Sequence, residues 1–142
     1  MKNQVAINGI RAILEETNER QGWAIPLYVV AYEAEILAEK IDRNPWAPEP
    51  SYAERFMTLR NAQEALHLGN TCWFTRAVFP EHKSRRGLSA NYYVDMGQSC
   101  YSRALQDLDL PAVRMINTHF EFLAETVYTA VRLNGQFREM WD

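Results

Sequence analysis

Glu64 and His67 stand three residues apart, a spacing that brings a carboxylate and an imidazole to one face of a helix. Two such Glu-x-x-His pairs, with a glutamate from each of two further helices, build a di-iron centre. Here the motif occurs once. His119-x-Glu121 has a spacing whose side chains diverge on a helix, and Glu33, Glu35 and Glu125 have no second motif to join. A metal-dependent enzyme therefore ranks third among the functions considered. No metal, cofactor or catalytic residue is assigned. Cys72 and Cys100 lack Cys-x-x-Cys or zinc spacing, and His67, five residues before Cys72, falls off its helical face. Neither a nucleophile elbow nor a Gly-rich phosphate loop accompanies them.

Two other groups of residues remain. Projected on a helix, Gln63, His67 and Asn70 fall within an apolar stripe, and Asn117 falls on the inner face of the last helix. Buried polar side chains need partners, so these four form either a satisfied polar layer that fixes helix register or a pocket that orients a small ligand. Arg76, His82, Lys83, Arg85 and Arg86 form a basic patch beside Phe79, Tyr92 and Tyr93. Cations interleaved with aromatics suit an acidic partner or a phosphate, while a charged loop is also what any soluble protein carries.

Gly69-Asn70-Thr71-Cys72, Phe79-Pro80-Glu81 and Tyr92-Tyr93-Val94-Asp95-Met96-Gly97 together resemble a pattern in an uncharacterised family of bacterial all-helical proteins. Its members more often carry Asp at the place of Asn70. The resemblance covers roughly the middle quarter of the chain and implies a bacterial, cytoplasmic protein.

The elements that must position these residues follow from the apolar periodicity. A first helix over about 3–20 carries Ala6, Ile7, Ile10, Ile13, Leu14 and Thr17 on one face and closes at Gly22. Pro26 opens a second, with a stripe from Leu27 to Ile41, running to about Arg43. The proline-rich residues 44–50 form a stiff connector pinned by Trp46. Ser51 and Glu54 read as the capping box of a third helix that runs to Phe79, bent or split at Gly69. Residues 80–87 form a loop, and Ser89 or Asn91 caps a fourth helix lined by Tyr93, Gly97, Cys100 and Ala104. Pro111 starts the fifth, from Val113 through Val131 to Gly135, with Phe137 and Trp141 beyond its cap. The expected fold is all-α, a single domain over residues 1–142 built as an antiparallel bundle of about five helices.

Composition bounds the rest. With 47% hydrophobic and 23% charged residues the 142-residue chain is globular. A net charge of −3 argues against nucleic acid as the main partner. No apolar run approaches the roughly 20 residues of a membrane span, and the N-terminal stretch turns acidic too soon for a signal peptide. The leading expectation is a non-enzymatic adaptor or regulator, homodimeric, binding a protein with an acidic surface through residues 80–93. The alternative is a bundle with a small-molecule pocket near His67.

Overall fold

The computed structural model describes residues 4–41, 56, 59–81, 90–135 and 137–141. These residues form six α-helices and a closing 3-10 turn, with no strand among the described residues, so the chain is all-α. The helices are α1 (Gln4–Gln21), α2 (Leu27–Glu39), α3 (Ala62–Val78), α4 (Ala90–Leu105), α5 (Pro111–Thr118) and α6 (Phe120–Leu133), and the turn is Arg138–Trp141. No helix among the described residues is long and apolar enough to cross a membrane.

α1 ends where Gly22 takes φ 68°, a left-handed conformation that glycine adopts without strain, and its N–H bonds back to Glu19 O. The turn into α2 is clamped by the buried Asn18, whose side chain accepts from Ile25 N at 3.1 Å and donates to Ile25 O at 3.0 Å. Pro26 precedes α2 as its N-cap, and α2 stops at Glu39, short of the expected Arg43.

α3 is the central element. Leu68 to Thr75 are all buried, so this helix has no polar face along its middle. It packs along α4 and α6, while α1 lies on α2 and α2 also meets α5. The expected helix from Ser51 to Phe79 is not continuous. Leu59 and Arg60 are non-helical, and Asn61 caps a fresh start by accepting from Glu64 N at 2.9 Å. Glu64 reaches back to Arg60 N at 2.6 Å, so the capping box of α3 is Asn61 with Glu64. Ser51, Glu54 and the connector with Trp46 lie outside the described residues.

Two further expectations are corrected. Gly69 neither bends nor splits α3; a Cβ there would stand 2.7 Å from Tyr101 Cδ1, so the glycine admits the Tyr101 ring against the α3 backbone. The last helix is two, broken at His119 (φ −116°, ψ 40°) between α5 and α6. Asn117, Thr118 and His119 are weak helix formers, and Thr118 Oγ1 bonds back to Arg114 O at 2.9 Å, a contact that bends helices.

The main core joins Ile10, Leu14, Val30, Leu37, Trp73, Phe74, Phe120 and Val127 from α1, α2, α3 and α6. The chain beyond α6 returns to it: Phe137 and Trp141 are buried, and Trp141 Nε1 donates to Leu37 O at 2.8 Å. Leu68, Cys72 and Cys100 form a smaller cluster with Phe56, Leu59 and Met96.

Candidate functional site

A chain of hydrogen bonds runs outward from the core between α4, α3 and α2. Tyr101 on α4 is fully buried, and its hydroxyl donates to Asn70 Oδ1 at 2.8 Å. Asn70 Nδ2 in turn donates to the Tyr32 hydroxyl on α2 at 3.3 Å. Burial pushes the Tyr101 phenol well above its usual range, helped by Tyr32, Cys72, Cys100 and Glu33 nearby. Tyr32 is also raised, first by burial; the Asn70 bond works against this, and Glu35 and Glu39 add to it. Both phenols therefore keep their protons at neutral pH.

Tyr32 also lines a groove of about 640 Å³ between α1, α2 and the start of α5. Its walls include Ile7, Tyr28, Ala31, Leu110 and Pro111, with Gln4, Arg11 and Glu35 as polar members. Tyr28, Ala31, Tyr32 and Glu35 follow the 0, 3, 4, 7 spacing of one helical face, which carries them to the same side of α2. Arg11 is held by Glu15 at 2.8 Å. A second polar seam joins the end of α2 to α3. Lys40 is buried and its Nζ donates to Thr71 Oγ1 at 2.8 Å, and His67 Nδ1 lies 3.6 Å from Glu39 Oε1.

Of the four residues expected to form a polar layer, Asn70 alone is buried in the network. His67 is half-exposed beside Glu39 and Gln63 is exposed, while Ala65 between them is the residue that this part of α3 buries. Asn117 does not meet them; it donates to Ser102 Oγ on α4 at 3.1 Å, and its backbone oxygen accepts from Gln98. The groove tyrosines were missed because the readings followed the α2 stripe that faces the core. Their signal was present in the i, i+4 pair Tyr28 and Tyr32.

Within the basic patch, Arg76 is mostly covered and lies 3.3 Å from Glu125. Tyr93 is buried, and Tyr92 is half-buried with its ring edge-on to Tyr93 at 5.6 Å. Tyr93 therefore faces inward, and of the two expected surface tyrosines Tyr92 alone keeps part of its side chain exposed. His82, Lys83, Arg85 and Arg86 lie outside the described residues.

Glu33 is the other anomaly. Its side chain is 1% exposed, and Oε2 has no hydrogen-bond partner among the described residues. Beside it is a cavity of about 10 Å³, lined by Leu14, Asn18, Trp23, Thr126 and Val127, with room for a single water. Burial holds this carboxyl well above the usual range. Cys72 and Cys100 are buried and neither forms a disulfide, and no group of three or more metal-ligating side chains occurs among the described residues.

Compared with protein-family models, with curated proteins and with solved structures, the chain finds no match in any of the three.

Proposed function

We propose that this protein works by binding rather than by catalysis, as a helical bundle that takes a small molecule in the groove between α1, α2 and α5. The observation that carries the reading is a groove of about 640 Å³ one of whose wall residues, Tyr32, also ends a buried hydrogen-bond chain. Its volume is in the range of small-molecule sites, and it combines apolar walls with a few polar groups, as such sites do. Relative to the sequence expectation of a pocket near His67, the site moves to the far end of the Asn70 amide. A fragment screen by amide chemical-shift mapping tests this. Shifts should cluster at Ile7, Tyr28, Tyr32 and Leu110, and Ala31→Trp, which fills the groove, should abolish them. Clustering elsewhere would refute it.

A second reading keeps the protein–protein role, with an acidic partner on the segment carrying His82, Lys83, Arg85 and Arg86. The anchoring of its flanks supports it. Phe79 is buried edge-on to Phe74 at 6.0 Å, the Arg138 guanidinium sits 4.8 Å over the Phe79 ring and pairs with Glu81, and Tyr93 is buried on the other side. Charge reversal at Arg85 and Arg86 should then remove a partner from a pull-down while leaving thermal unfolding in place. Both readings place a homodimeric, antiparallel bundle in a reducing bacterial cytoplasm. Buried cysteines outside any disulfide and exposed apolar side chains such as Leu27 and Phe122 accord with that reading.

A further inference from the structure

The hydrogen-bond chain that ends on Tyr32, a wall residue of the groove, has a direction, and we infer from it that the Tyr32 hydroxyl serves the groove as a donor and that the groove takes a neutral molecule bearing a hydrogen-bond acceptor. This rests on the groove reading above and adds the chemical class of the ligand.

Tyr101 sets the direction. Its hydroxyl is fully buried, so its proton needs an acceptor, and Asn70 Oδ1 at 2.8 Å is the one it has. That fixes the amide: Nδ2 faces Tyr32, where it can only donate, at 3.3 Å. The Tyr32 oxygen is thereby an acceptor within the chain, and its own proton has no acceptor among the described residues. A donor left over on a residue that lines a groove selects for a carbonyl or ether oxygen in the guest.

Charge narrows the class. Glu35 lines the groove and Glu39 acts on the same hydroxyl, so an anionic ligand meets repulsion there. Arg11, the cation of the groove, is already held by Glu15. A cationic ligand brings only donors, which leaves the Tyr32 proton unmet. Ile7, Ala31, Leu110 and Pro111 offer apolar wall to the body of the guest, and Tyr28 offers a ring. A small aromatic ketone satisfies all of these terms.

Three probes with one ring and one differing substituent test the inference: acetophenone, benzoate and benzylamine, titrated into the intact protein and followed by amide shifts at groove residues. Acetophenone should bind several-fold tighter than either ion, and Tyr32→Phe should weaken acetophenone by about three- to tenfold, the worth of one hydrogen bond. Benzylamine should be unaffected by that change. Tightest binding by benzylamine or benzoate, or a Tyr32→Phe protein that holds acetophenone as well as wild type, would overturn the donor assignment and leave the groove reading standing. If none of the three moves groove resonances, both fail. Should Tyr32→Phe not fold, the order of the three probes on wild type decides alone.

Discussion

Glu33 carries a carboxyl group into the core with no partner for Oε2 among the described residues, and that makes its protonation a matter of stability. Burial raises its pKa in the fold, while the unfolded chain releases the proton near the ordinary value of 4.5. The folded state thus binds more protons than the unfolded one, and stability falls as pH rises. The contribution is complete below the unfolded value and is lost progressively until Glu33 ionises in the fold. Glu33→Gln keeps the shape and does not titrate. Its melting temperature relative to wild type should rise steadily with pH above about 5, and parallel profiles would mean the carboxyl reaches solvent. Asn70 offers a second test. Asn70→Ala orphans the Tyr101 hydroxyl and should cost roughly 1–3 kcal/mol in urea unfolding. Combined with Tyr101→Phe it should cost less than the two losses added, because each orphan exists only while its partner is present. Strict additivity would place another acceptor on Tyr101. Both residues were open to a sequence reader in part. Asn70 and Glu33 interrupt apolar stretches, but their partners come from other helices, which no spacing along one helix reveals.

At the scale of elements, the α3–α4 contact depends on two glycines. A Cβ at Gly69 would meet the Tyr101 ring at 2.7 Å, and one at Gly97 would meet Phe120 Cζ at 2.5 Å and Cys72 Cβ at 3.1 Å. Alanine favours an isolated helix over glycine by ~1 kcal/mol, so propensity alone predicts that either substitution stabilises. Overpacking costs typically about 1–3 kcal/mol, and Tyr101 cannot retreat without releasing Asn70. Gly69→Ala should therefore lower the urea midpoint, and a raised midpoint would contradict the packing described. Sequence periodicity found α1, α2, α4 and the span of α5 and α6, because each has one face against the core. It misread α3, where burial on nearly all sides leaves no stripe to project, so Gln63 was placed inside and Gly69 was taken as a break. The Asn61 cap was equally readable, since Asn61-x-x-Glu64 is the same signature as Ser51-x-x-Glu54.

At the scale of the molecule, the all-α class followed from apolar spacing, proline and glycine punctuation and the lack of strand alternation. The groove did not. It exists because α1, α2 and the first turn of α5 meet there, a juxtaposition of residues 4–11, 28–35 and 110–112 that no local pattern encodes. In this groove Tyr32 is proposed to present its proton to a bound acceptor. A crystal structure of the protein soaked with acetophenone tests that most directly. The ring should lie against Tyr28, Leu110 and Pro111, with the ketone oxygen about 2.7 Å from the Tyr32 hydroxyl. A vacant groove, or a bound ketone whose oxygen turns toward Gln4 and away from Tyr32, would contradict it.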